Sequence, residues 1–225
     1  MLISVHIPKC AGTSFRFVLR HVYGEKCWEN YGRVFSREQA RPGIVPLGVR
    51  CIHGHFLADA FDGLFPRRQL ITWVRHPVER VAATYYHQLR TPDWRDDCCR
   101  LLHERKLGLR EFAELEWMRN TASRYLAHRP VGAFAFVGVV EEFGASLEIF
   151  RRRFAANLLF LEPKTNVNRA RTSARYPLTA SDFDHILALN EADWLWYEQA
   201  RLQLGVAARA EGLSIGAGEI DRLAS

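Results

Sequence analysis

Leu2-Ile3-Ser4-Val5-His6-Ile7-Pro8-Lys9-Cys10-Ala11-Gly12-Thr13-Ser14 joins a short apolar run to a turn and then to Phe15, Val18, Leu19 and Val22 at helical spacing. It reads as a strand, an anion-cradling loop and a helix, which Gly24 is placed to end as a C-cap. Gly12 has no Cβ, so backbone N–H groups could close on an anion. Thr13 and Ser14 add hydroxyls at the positive end of the helix dipole, and Lys9 brings a mobile cation to the loop's mouth.

Outward from this unit, strands and helices alternate. A short apolar segment around Val49-Arg50-Cys51-Ile52 runs into His53-Gly54-His55, while residues 25–48, mixed in Gly, Pro and charge, read as connecting structure. Gln69 to Val74 suits a buried parallel strand and stops at Arg75-His76-Pro77, since a residue before proline is biased away from helix. A helix is expected from near Val78, two more around Leu101-Leu102 and from Phe112 to Leu126, and another from Glu141 to Phe154. Ala135 to Val139 and Leu158 to Leu161 read as strands. The last helical region, capped by Thr179 or Ser181, continues with an interruption to Leu204 and presents Trp194, Trp196 and Tyr197.

This alternation predicts an α/β fold, a P-loop-like parallel sheet with helices on both faces, as a single domain over 1–204 with a frayed tail over 205–225. Ligands of such sheets sit beyond the carboxyl ends of the strands, where the 8–14 loop, the His pair and the Arg75 turn would meet.

At 225 residues, 48% of them hydrophobic, the chain can bury one sizeable core. Its formal charge of +6 comes mostly from arginine, with Lys9, Lys26, Lys106 and Lys164 the only lysines. Arginine suits bidentate contact with phosphate or sulfate, and no long basic block points to nucleic acid. Five cysteines without a C-x-x-C spacing argue against a zinc site and a disulfide framework and fit a reducing compartment. With no signal-peptide pattern and no apolar run near the ~20 residues of a membrane span, the expectation is a soluble cytoplasmic protein.

A nucleotide triphosphatase P-loop is written G-x-x-x-x-G-K-[ST], with the Lys after the second Gly; here Lys9 precedes the only Gly. The order Pro8-Lys9-x-x-Gly12-Thr13-Ser14 resembles the 5′-phosphosulfate loop of sulfotransferases that use 3′-phosphoadenosine 5′-phosphosulfate (PAPS). Arg75-His76-Pro77-Val78-Glu79-Arg80-Val81-Ala82-Ala83-Thr84-Tyr85 is similar to that family's 3′-phosphate-binding segment. His53-Gly54-His55 resembles the His-Gly-His of the heparan-sulfate 2-O-sulfotransferase type. Phe136 to Glu141 and Asn120 to Leu126 resemble further family segments, so the likeness spans roughly residues 3 to 200. Ala83 departs from it, standing where the family carries a Ser ligand of the 3′-phosphate, with Thr84 beside it.

The resemblance implies transfer of a sulfonate from PAPS to a hydroxyl or amine acceptor, carbohydrate-like or another small molecule, by in-line displacement and without a metal. It implies Lys9 at the leaving oxygen, His55 as general base with His53 as second choice, and PAPS contacts from Lys9, Cys10, Ala11, Gly12, Thr13, Ser14, Arg75, Ala83, Thr84 and Arg171. Simpler roles stand beside these. Either His could serve the strand end by bonding backbone, and Glu79 and Arg80 could form surface pairs. Lys164, Arg169, Arg171 and Arg175 could be a solvated basic loop, and the Trp194-Trp196-Tyr197 cluster core packing. Two rival functions are a nucleotide kinase, which lacks its G-K-[ST] loop here, and a PAP-binding module that has lost transfer.

Overall fold

The computed structural model describes residues 1–35, 37–41, 43–156 and 176–215. Their strands are β1 (Leu2–Val5), β2 (Cys27–Phe35), β3 (Cys51–Phe56), β4 (Gln69–Val74) and β5 (Phe136–Val139), paired all-parallel in the order β2-β3-β1-β4-β5. β1 and β4 read as near-continuous apolar runs because central strands of a parallel sheet are covered on both faces.

Helix α1 (Gly12–Tyr23) and helix α6 (Phe143–Phe154) lie on the same face: Phe15 packs against Phe150 at 4.9 Å and Trp73 at 5.2 Å between ring centroids, and Trp73 meets Phe143 at 4.7 Å. A smaller core joins α2 (Pro77–Arg90), α3 (Asp97–Glu104), α4 (Leu109–Glu114) and α7 (Ala180–Ala188) through Val78, Val81, Leu102, Phe112 and Ile186. Thr179 caps α7, its Oγ1 accepting from Asp182 N at 3.1 Å. The whole is a single compact α/β domain, and no helix among the described residues is long and apolar enough to cross a membrane.

Four sequence expectations are corrected. Residues 27–35, expected as connecting structure, form edge strand β2, held by register pairing to β3 from Cys27↔Cys51 to Asn30↔Gly54. The single helix expected from Phe112 to Leu126 is two, α4 and α5 (Thr121–Tyr125), separated by a 3₁₀ turn over Glu116–Met118. The last helix, α8 (Glu191–Ala210), runs past Leu204 because Leu204, Gly205 and Ala208 are buried, so the expected boundary at 205 falls inside a helix. The strand expected at 158–161 lies outside the described residues.

The fourth correction concerns Arg80, which is buried rather than part of a surface pair. Its Nη2 donates to Met118 O at 2.7 Å and Asn190 Oδ1 at 3.4 Å, and its Nε stands 3.9 Å from Asp193 Oδ2. Asp193 in turn accepts from Ala122 N at 2.9 Å and Ser123 N at 2.7 Å, capping α5 from across the core. A buried charge persists only when paired and hydrogen-bonded, and this network supplies both.

Candidate functional site

Side chains alternate across a strand, so Ser4 and His6 at the end of β1 share a sheet face with His53 and His55 on β3. The neighbouring edge strand sends Tyr31 to the same face, where Arg16 of α1 lies 5.6 Å over its ring. His6 N–H donates to Gly54 O at 2.9 Å, which carries the β1–β3 ladder one step beyond β1. The His6 ring stacks on His53 with 5.3 Å between centroids and meets His55 edge-on at 4.6 Å. Tyr31 Oη completes the group 3.1 Å from His6 Nδ1.

Two glycines make this approach possible. A Cβ on Gly12 would fall 1.8 Å from His6 Nε2, and one on Gly54 would fall 1.8 Å from Asn30 O in β2. The space that a Cβ at position 12 would need is taken by the His6 imidazole. Gly54 lets the edge strand close on β3 between the two histidines.

His53 is fully engaged. Gly12 O, 3.3 Å from Nε2, can only accept, so in the neutral ring Nε2 carries the proton and Nδ1 accepts from Ser4 Oγ at 2.9 Å. Burial holds its pKa down to about 4. His55 is likewise lowered to about 4 by burial, but its Nε2 is buried without a hydrogen-bond partner among the described residues. Burial first, then the neighbouring His53 and His55, pushes His6 well below the ordinary imidazole value. All three rings are therefore neutral near pH 7, and His55 alone of the expected pair has a nitrogen free to take a proton.

The loop between β1 and α1 turns sharply, with Lys9 at φ 65° and Ala11 at φ 56°, in the left-handed region that non-glycine residues enter at a cost of about 1 kcal/mol or more. Cys10 is buried within it, its N–H donates to Ile7 O at 3.2 Å, and burial pushes its thiol up to about 12. Its thiol is therefore neutral and its backbone N–H already committed, so Cys10 shapes the loop. Ser14 is nearly buried and Thr13 exposed. The Lys9 ammonium is lowered to about 8, by burial and then by the positive charges of Arg75 and Arg90.

Arg75 leaves the end of β4, with Nη2 3.1 Å from Glu79 Oε2 and its guanidinium 6.0 Å from the centroid of Tyr176, which stacks on Tyr86 at 4.9 Å. The same turn is fastened to the end of β5 by His76 N–H, which donates to Glu141 Oε1 at 2.9 Å. Ala83 is buried, and Thr84 Oγ1 donates to Arg80 O at 2.9 Å within its own helix, so that hydroxyl is committed to backbone. Lys164, Arg169, Arg171 and Arg175 lie outside the described residues. Trp196 and Tyr197 are core residues. No group of three or more His, Cys, Asp or Glu is arranged to hold a metal ion among the described residues.

The sequence reading missed His6 and Tyr31. His6 was discoverable, since the alternation that points Ser4 at one face points His6 at it too. No protein-family model and no curated protein sequence matches the chain.

Proposed function

We propose that the chain is a PAPS-dependent sulfotransferase acting on a hydroxyl or amine acceptor. One observation carries this reading: Lys9, His55 and Arg75 belong to the carboxyl ends of three adjacent parallel strands, β1, β3 and β4, and His55 brings to that edge a buried Nε2 without a hydrogen-bond partner among the described residues. The residues fit an anionic nucleotide, since Arg75 and Arg90 bring positive charge near Lys9 and add to burial in lowering the lysine's pKa.

When bound, PAPS supplies a sulfonyl group whose bridging oxygen gathers negative charge as it leaves. Lys9 holds an ammonium for that oxygen, an interaction strongest in the transition state and therefore catalytic. His55 Nε2 takes the acceptor's proton; a neutral imidazole is the state a general base requires. His53 does not compete for that role, because both its nitrogens are bonded; it holds the α1 end and β1 against β3. Arg75 offers a planar fork to a phosphate. The wider P-loop-like comparison, a carbohydrate acceptor and a cytoplasmic setting belong to the same proposal and rest on the sequence resemblance.

The test is incubation with sulfur-labelled PAPS and a panel of saccharides, phenols and amines, with mass detection of the product. Labelled product that disappears in Lys9→Ala supports the reading. Phosphate transfer from Mg²⁺-ATP without sulfonate transfer would replace it with the kinase, and PAP binding without any transfer would replace it with the binding module.

A further inference from the structure

Cys27 and Cys51 are the first residues of β2 and β3 and stand directly opposite one another in the parallel pairing. Both are free thiols, Cys51 fully buried and Cys27 half-buried. Neighbouring strands lie about 4.8 Å apart, inside the ~4.4–6.8 Å Cα spacing that a disulfide spans. As register partners on parallel strands, the two side chains project to the same face of the sheet. Cys27 also lines an open surface groove with Arg20, Gly24, Glu25 and Glu29, which places this half-buried residue at the protein surface.

The two thiols are electronically unlike. The neighbouring Cys51 thiol holds Cys27 below the usual thiol range, helped by Arg20 and opposed by burial and Glu29. Cys27 in turn, together with burial, pushes Cys51 up. A partly exposed sulfur backed by a fully buried one is the arrangement of an attacking and a resolving cysteine. Cys10, Cys98 and Cys99 are buried.

We infer that Cys27 and Cys51 are a peroxide-reactive dithiol that closes to a disulfide across β2 and β3. The Cys27 thiolate attacks a hydroperoxide oxygen, the O–O bond breaks, and the alkoxide released takes a proton from water, leaving Cys27 as a sulfenic acid. Cys51 sulfur then attacks Cys27 sulfur, the S–O bond breaks, and the thiol proton leaves with the hydroxide as water. Two electrons pass from the sulfur pair to the peroxide. The bond ties down the edge strand that also carries Tyr31, and hence the partner of His6. None of this depends on the transfer reaction proposed above.

The experiment treats the full chain with one equivalent of hydrogen peroxide, blocks remaining thiols by alkylation, and maps unreduced peptides by mass. A Cys27–Cys51 linked peptide at least tenfold more abundant than any other cysteine pair, lost on addition of dithiothreitol, is the expected result. In Cys51→Ser, Cys27 should instead be trapped by dimedone as the sulfenic acid. Peroxide that yields another pair first, or Cys27 sulfinic acid in the wild-type chain with no linked peptide, overturns the inference; that wild-type readout stands even if the variant does not fold.

Discussion

His6 and Gly12 share one volume: the imidazole lies where a Cβ at position 12 would project, 1.8 Å from its Nε2. The glycine is required by a side chain from the preceding strand, and the loop geometry follows from that packing.

Gly12→Ala is therefore expected to cost about 1–3 kcal/mol, the usual range for overpacking a close-fitted site. In a His6→Ala background the same substitution should cost much less, since the clash is gone. Urea unfolding of the four proteins measures the coupling, and full additivity would refute the shared-volume account.

Acid should unfold the protein through its buried histidines. His53 has a folded pKa of about 4 against 6.5 unfolded, so the unfolded chain binds the proton more readily below pH 6.5. Its contribution is intact above pH 6.5 and is lost as the pH falls toward 4, by up to roughly 3 kcal/mol. In His53→Gln, whose amide can still donate to Gly12 O, the stability profile between pH 6.5 and 4 should be flatter.

The two expected bases should separate by phenotype. His55→Ala is expected to lower sulfonate transfer about 10²–10⁴-fold with PAP affinity and unfolding midpoint little changed. His53→Ala should lower the unfolding midpoint, because it removes the bonds to Ser4 Oγ and Gly12 O and leaves the Ser4 hydroxyl buried without this partner. Transfer rates and denaturation curves of both variants, compared side by side, decide the assignment.

Anion binding should take up protons near pH 8. Lys9 titrates at about 8 in the free protein, and a nearby phosphate raises that value, so PAP affinity should fall as the pH rises past 8. Calorimetry in buffers of different ionisation enthalpy should show uptake at pH 8 and little from Lys9 at pH 6. Lys9→Arg should abolish the pH 8 uptake; unchanged uptake would place Lys9 away from the anion.

Much of this arrangement was written locally. β1, its loop and α1 are contiguous, and β4 announces itself by an apolar run, so both were legible. β2 was not, because an edge strand needs only one covered face: Glu29, Asn30 and Tyr31 break any apolar pattern, and their alternation gains meaning only beside β3. The burial of Arg80 was not legible because a charged side chain is normally exposed; nothing near it in sequence forecasts Asp193. The meeting of His6, Tyr31 and His55 likewise depends on register between strands distant in the chain, which no local spacing encodes.

The link from Arg80 to Asp193 also constrains how the protein comes into being. While the chain emerges from a ribosome, the sheet strands, α2 and α5 are all made before α8, so Arg80 has no carboxylate to meet and α5 has no cap. Closing the core early would strand a charge in an apolar interior, which disfavours a finished amino-terminal half waiting for its remainder. A fragment ending at Leu189 is accordingly expected to show no cooperative unfolding transition, and the native domain to assemble in one late step when the last long helix arrives.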